Sequence, residues 1–193
     1  MTDTLTLPTG SVAEASIALV RRTASAPITE HSIRSFLFAR LLAEHDGSRG
    51  DAAYDEGLLF AACLLHDLGL GTLAAGQARF EVEGADLAAS VLRDNGVPAA
   101  DVDRVWEAIA LHSSVGIADR RGLITSLTHK GVYTDLGQFT ALPADQVSRV
   151  VAAHPRPAEI DYLRDAIVAH AARSEAAAPP YSLPGELLRQ SRS

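Results

Sequence analysis

An adjacent histidine and aspartate, His66 and Asp67, come directly after an uninterrupted apolar run at residues 58–65. Burying two ionisable groups at the end of such a run costs several kcal/mol unless a partner compensates them, and a divalent cation is an efficient partner. The pair therefore indicates half of a metal site. A structural alternative stays open, in which the histidine interacts with the dipole at a helix end and the aspartate caps the next turn.

Two further residues complete a candidate ligand set. His31 lies in the first turn of a predicted helix, and Asp135 lies on a later predicted helix among apolar neighbours. With His66 and Asp67 they offer two imidazoles and two carboxylates, a set that suits zinc, iron, manganese, cobalt or nickel better than calcium. We therefore predict that these four side chains bind one divalent metal ion, with zinc as the first expectation.

Apolar residues recur three and four positions apart along nearly the whole chain, which is typical of amphipathic helices. Glycine, proline and Asn-Gly sequences separate these periodic segments. Neither an alternating strand pattern nor an internal repeat is found. The chain is therefore predicted to be all-α. The predicted helices cover residues 11–23, 29–46, 54–66, 85–94, 98–112, 124–136, 143–154, 157–173 and 183–189.

Length and composition limit the class of protein. The 193 residues and the 47% hydrophobic content are enough for a full core, and the length favours one domain over residues 1–193. The net charge of −7, with Lys130 as the single lysine and no basic cluster, argues against a nucleic-acid partner. A membrane-spanning segment and a signal peptide are both absent from the sequence pattern. We expect a cytoplasmic protein that acts on a small molecule, and a homo-oligomer stays open.

The order of the candidate ligands resembles that of a known family. A histidine, then an adjacent His-Asp pair, then a distal aspartate in a helical chain resembles the HD-domain superfamily of metal-dependent hydrolases, over residues from about 28 to 136. The resemblance implies a helical bundle with the metal site between core helices. It also implies a core at about residues 28–140, against which C-terminal helices at residues 143–190 pack.

Neighbouring residues narrow the resemblance. Residues 68–71 are Leu, Gly, Leu and Gly, so the chain lacks the acidic residue that nucleotide phosphohydrolases of the superfamily usually carry there. It also lacks the lysine and the downstream Gly-Tyr-Pro sequence of the cyclic-dinucleotide phosphodiesterases. The blocks at residues 31–34, 62–69, 79–85 and 109–114 look instead like those of the cyanamide hydratase group.

That resemblance implies the addition of water to a nitrile-type carbon, which converts cyanamide into urea. A bound metal ion can acidify water and polarise the nitrile nitrogen. The enzyme would then be a metal-dependent hydro-lyase. Two alternatives stay open: a phosphohydrolase that acts on a nucleotide or another phosphate ester, and a non-catalytic helical module that the metal only stabilises.

Besides Asp67, three polar residues are candidates for catalysis. Arg34, one turn after His31, could orient a ligand, bind substrate or pair with a carboxylate of a neighbouring helix. Glu81, expected in a loop, is a candidate proton shuttle or helix cap. His112, at the end of an apolar helix face, could donate a proton, bind substrate or be a satisfied core histidine.

The remaining histidines are not assigned to the site. His129 precedes Asp135 by six positions and is expected on a different face of the helix. His45, His154 and His170 lie near helix ends or charged residues, and we expect them at the surface.

Overall fold

The computed structural model of the chain describes residues 5–139 and 141–192. These residues form helices and turns without any strand, so the all-α prediction is confirmed. Within the described ranges, no helix combines the length and the hydropathy that a membrane crossing requires. The α-helices are α1 (Ser11–Thr23), α2 (Ala26–His45), α3 (Glu56–Leu65), α4 (Phe80–Asp94), α5 (Ala99–Leu111), α6 (Leu123–Asp135), α7 (Ala144–Ala153), α8 (Tyr162–Ala171) and α9 (Leu183–Gln190). Short 3-10 turns lie at Ser48–Gly50, Leu68–Leu70 and Ala118–Arg120.

Helix α3 forms the centre of the fold. Its residues 58–65 are all buried, and it contacts α1, α2, α5 and α6. The carboxylate of Asp55 caps its N-terminus by accepting the backbone N–H of Leu58 at 2.9 Å. Because the helix ends at Leu65, the next two side chains emerge inside the core rather than at the surface.

Helices α2 and α6 run antiparallel in direct backbone contact, and a glycine permits the contact. A Cβ at Gly131 would overlap the carbonyl oxygen of Ser35 and would lie 2.8 Å from the Cβ of Ala39. One turn nearer the N-terminus of α2 and the C-terminus of α6, the same close approach places Asp135 against His31. The glycine therefore sets the distance between two of the predicted site residues.

Replacing Gly131 with alanine is expected to lower the free energy of unfolding by about 1–3 kcal/mol, because the added methyl group forces two helix backbones apart. Chemical denaturation of the variant and of the parent protein measures the difference. Gly50→Ala is the matched control, since a Cβ at Gly50 meets no atom within 4 Å. Equal stability of the two variants would contradict a tight α2–α6 contact.

A second close contact fixes the turn that follows Asp67. A Cβ at Gly69 would overlap the carbonyl oxygen of Phe80, and a Cβ at Gly84 would lie 3.0 Å from the backbone nitrogen of Gly69. The turn therefore packs on the backbone of the first turns of α4, which only glycine permits at this distance.

Three helices begin three or more residues away from the predicted positions. Helix α2 already contains Pro27, because proline lacks the N–H that the first turn of a helix leaves unpaired. Helix α4 begins early enough to include Glu81, so the prediction of a loop at this residue is wrong. The carboxylate of Glu83 explains the early start, since it accepts the backbone N–H groups of residues 76–78 and orders the approach to the helix. Helix α8 begins only after Pro157 and the turn that follows it.

Candidate metal centre

His66 and Asp67 lie where α3 ends, and both side chains are buried. The Nδ1 atom of His66 lies 2.7 Å from the carbonyl oxygen of Cys63 in the same helix. Because a carbonyl oxygen only accepts, Nδ1 carries the proton and Nε2 presents a lone pair. That Nε2 atom lies 3.2 Å from Oδ2 of Asp67. The end of α3 therefore fixes both the orientation and the tautomer of His66.

His31 faces the same point from α2. Its Nδ1 atom donates to Oδ2 of Asp135 at 2.6 Å, which turns Nε2 inward. Nε2 lies 3.2 Å from Nε2 of His66 and 3.8 Å from Oδ2 of Asp67. Two imidazole lone pairs and one carboxylate thus converge.

His112 contributes a third imidazole from the end of α5. Its Nδ1 atom donates to the carbonyl oxygen of Ile109 at 2.7 Å, and its Nε2 atom lies 3.7 Å from Oδ1 of Asp67. Burial and the neighbouring His66 lower the pKa of His112 to about 4. The imidazole is therefore neutral at pH 7, and it offers the cluster an acceptor rather than an acidic proton. Of the roles expected for His112, proton donation as an imidazolium does not fit this environment.

The cluster contains more acceptors than donors. Oδ2 of Asp67 is buried, and among the described residues it has no hydrogen-bond partner. A buried acceptor left in this state costs about 1–3 kcal/mol, and a charged one costs more. A cation between Asp67 and the imidazole Nε2 atoms removes this cost.

The electrostatics of the cluster also favour positive charge at its centre. Burial raises the pKa of Asp67, but the imidazoles of His66 and His31 outweigh this effect and hold the pKa well below its usual range. Burial lowers the pKa of His66, but the carboxylate of Asp67 outweighs it, so that the pKa of His66 is raised. A buried, ionised carboxylate therefore stabilises a cation at this position.

Three of the four predicted ligands form a set that fits one metal ion. The ligand atoms of His31, His66 and Asp67 all lie within 4.8 Å of one another. Two nitrogen atoms and one oxygen atom suit a divalent transition metal. Three protein ligands also leave a position for water or substrate, as in catalytic rather than structural sites.

Asp135 occupies a different place from the other three. Its Oδ2 atom accepts from Nδ1 of His31 at 2.6 Å, and its carboxylate also accepts Nε of Arg34 at 2.8 Å and Nη2 of Arg156 at 3.2 Å. The residue therefore lies behind His31 and holds its ring, an arrangement that commonly orients metal-binding histidines. The described geometry thus differs from the predicted four-ligand set, and a direct bond from Asp135 to the metal stays a prediction.

Arg34 is fully buried and does not line the space beside the cluster. Its guanidinium binds the Asp135 carboxylate through Nε and through Nη2, the latter at 2.9 Å. Its Nη1 atom donates to the carbonyl oxygens of His154 and Pro155. Of the roles expected for Arg34, pairing with a carboxylate of a neighbouring helix agrees with the structure, and contact with substrate does not.

Glu81 is also fully buried, and it lies outside the residues that line the space beside the cluster. Its carboxylate accepts Nη2 of Arg79 at 2.7 Å and the hydroxyl of Ser113 at 2.6 Å. Ser113 does line that space. Sequence reasoning missed this serine, although it directly follows His112.

Of the remaining histidines, only His170 differs from its predicted position at the surface. His170 is buried rather than at the surface, because its Nε2 atom donates to the carbonyl oxygen of Ala78 at 2.9 Å. His129 stays outside the metal cluster, as expected, but its Nδ1 atom donates to the carbonyl oxygen of His112 at 2.7 Å. His129 therefore holds the backbone beside the site. His45 is exposed, and His154 is partly buried against Glu30.

A small cavity adjoins the cluster. Its volume is about 60 Å³, and no lysine or arginine lines it. The polar walls come from the cluster and from two residues near it, and the apolar walls come from α4, α6, α8 and α9 and their ends. The lining residues are His31, His66, Asp67, Phe80, His112, Ser113, Val132, Tyr133, Leu136, Leu163, Ile167 and Leu183. Ligand sites for drug-sized molecules span about 300–1,000 Å³, so the cavity suits a far smaller molecule.

An all-helical fold with a buried His and Asp cluster at a small cavity is compatible with a metal-dependent enzyme built on a helical bundle. Comparison with known families agrees, because the HD domain family matches residues 28–180. The chain therefore belongs to the HD domain family. Membership indicates an enzyme of the metal-dependent hydrolase type that binds a divalent ion. Comparison with curated proteins finds no match.

Proposed function

We propose that the protein hydrates a small nitrile-type substrate, with cyanamide as the leading candidate and urea as its product. The observation that carries the proposal is the cavity of about 60 Å³, which adjoins the cluster and has no cationic side chain in its lining. Cyanamide is small, linear and uncharged, so it needs neither a large site nor a counter-charge. The likeness of four sequence blocks to the cyanamide hydratase group supports the same reaction.

The residues around the cavity have different roles in this reaction. A divalent ion supplies Lewis acidity and lowers the pKa of water. His31, His66 and Asp67 provide the donor set for that ion, and Asp135 holds His31 in place. The neutral Nε2 atom of His112 can accept a hydrogen bond from water or from substrate. Apolar walls limit the access of bulk water, which strengthens polar interactions inside the cavity.

A phosphohydrolase is the second candidate, and the surroundings of the cluster disfavour it. A phosphate ester loses its hydration on entering the cavity and needs cationic donors in compensation. Arg34 and Arg156 are both bound to Asp135, and Arg79 is bound to Glu81. The cavity is also too small for a nucleotide. A non-catalytic module is disfavoured by the cavity itself, since a purely structural metal site is usually closed.

The test follows two products in parallel. Metal-replete protein is incubated with cyanamide and, separately, with a panel of deoxynucleoside monophosphates, and urea and free phosphate are measured. We expect urea from cyanamide and negligible phosphate from the nucleotides. Asp67→Asn serves as the inactive control for both assays. If phosphate release is faster than urea formation with the same metal, the phosphohydrolase becomes the favoured function instead of the hydratase.

A further inference from the structure

We infer that Ser113 is a catalytic proton relay, which connects substrate in the cavity with the buried carboxylate of Glu81. The inference rests on the proposed hydration reaction and adds a residue to it. Glu81 is a wholly buried carboxylate that does not line the cavity itself.

Ser113 lies between the cavity and Glu81. Its hydroxyl donates to Oε1 of Glu81 at 2.6 Å, and Ser113 lines the cavity together with His31, His66 and Asp67. The other side-chain partner of Glu81 in the described structure is Arg79, which does not line the cavity. A proton that passes between Glu81 and the cavity therefore has the serine hydroxyl as its bridge.

The backbone around Ser113 is held from α6. Tyr133 donates its hydroxyl to the carbonyl oxygen of Ser113 at 3.3 Å, and His129 donates to the carbonyl oxygen of His112 at 2.7 Å. Arg79 binds the other side of the Glu81 carboxylate. The relay is thus preorganised, because both of its members are positioned by groups that do not take part in proton transfer.

The proton balance of hydration defines which protons the relay transfers. The oxygen of a water molecule bonds to the nitrile carbon, and the electron pair of one C–N π bond moves to nitrogen. As the water loses a proton to Oγ of Ser113, the serine passes its own proton to Glu81. The reverse transfer delivers a proton to the nitrogen. The remaining hydroxyl proton of the isourea then moves from oxygen to nitrogen by the same route and yields urea, with no net gain or loss of protons.

A double-mutant cycle in the metal-replete protein tests the relay. Ser113→Ala and Glu81→Gln should each lower kcat for urea formation by about 100-fold, in line with typical general acid–base contributions. Since both variants interrupt one path, the double variant should also lose about 100-fold rather than about 10,000-fold. Metal content should stay at the parent value, although the loss of a buried hydrogen bond lowers the melting temperature of both variants. Ser113→Thr, which keeps the hydroxyl, should restore most of the rate.

Ser114→Ala is the matched control, because the adjacent serine does not line the cavity, and it should keep full activity. The relay would be overturned by full activity of Ser113→Ala, by multiplicative losses in the double variant, or by a loss of bound metal in Ser113→Ala. None of these outcomes would overturn the hydration reaction itself. Absence of urea from the parent protein would overturn the proposed function and the relay together.

Discussion

Asp67→Asn and His66→Ala should each reduce bound metal from one ion per chain to a trace and lower urea formation to the uncatalysed background. Each change removes one of the three ligand atoms that lie within 4.8 Å of one another. Both the Lewis acidity and the acidified water depend on the ion, so no alternative route remains for the reaction. Elemental analysis of protein purified without chelator gives the metal content.

Thermal unfolding provides a second readout of the same prediction. Metal at about 100 times its Kd should stabilise the parent protein by about 2.7 kcal/mol, because the ion binds the folded chain and not the unfolded one. The two variants should show no such shift. His45→Ala is the control, since this histidine is exposed and distant from the cluster, and it should behave like the parent. Unchanged metal affinity in Asp67→Asn would remove Asp67 from the ligand set.

Arg34→Met is the second change with a large expected effect, here on stability. Arg34 and Asp135 form a two-point ion pair that is almost completely buried. Removing one partner of a buried pair typically costs about 3–5 kcal/mol. We expect the lower end of this range, because Asp135 keeps His31 and Arg156 as partners. Chemical denaturation of metal-free protein measures this cost apart from any effect on metal binding.

The control for this prediction is an arginine at the surface. Arg121 pairs with Glu107, but its side chain is 54% exposed, so Arg121→Met should change stability far less than Arg34→Met. The loss of stability in Arg34→Lys should lie between the losses in Arg34→Met and Arg121→Met. Lysine keeps the charge but cannot bind both carboxylate oxygens in the planar geometry of arginine. Equal effects of Arg34→Met and Arg121→Met would contradict the buried pair.

The cost of Arg34→Met should depend on pH in a definite direction. Burial raises the pKa of Asp135, but hydrogen bonds from His31 and Arg34 outweigh it and hold the pKa well below its usual range. A carboxylate with a lowered folded-state pKa contributes stability above its unfolded pKa of about 3.9, and this contribution is lost as the pH falls through the folded value. The stability difference between parent and variant should therefore be full at pH 7 and should narrow below about pH 4.

The helical class and most of the cluster could be predicted from the sequence, because both follow from local patterns. Helical periodicity identified the elements, and the apolar run before His66 indicated that the histidine and Asp67 would be buried. The start of α4 was missed because Glu83 binds backbone groups of the preceding loop, which periodicity does not record. His170 was misjudged since its partner, Ala78, lies 92 positions away in the chain.

The division of roles within the site could not be predicted, because it depends on the distance between helices. Gly131 brings α6 so close to α2 that Asp135 binds the outer nitrogen of His31. Arg34 therefore pairs with Asp135 and does not line the cavity. Ser113 lies within the block at residues 109–114, but nothing in that pattern singles out the serine, whose significance depends on the buried carboxylate beside it.

Anomalous X-ray diffraction from crystals grown with zinc locates the bound ion independently of turnover, and so tests the ligand set of His31, His66 and Asp67 by itself. We expect one strong anomalous peak per chain, with Nε2 of His31, Nε2 of His66 and a carboxylate oxygen of Asp67 at about 2.0–2.2 Å. At least one further coordination position should face the cavity. The same map decides whether Asp135 stays behind His31 or turns to bind the ion. A zinc-replete crystal without a peak in this cluster, or with zinc bound only elsewhere, would show that these three residues do not form the metal site.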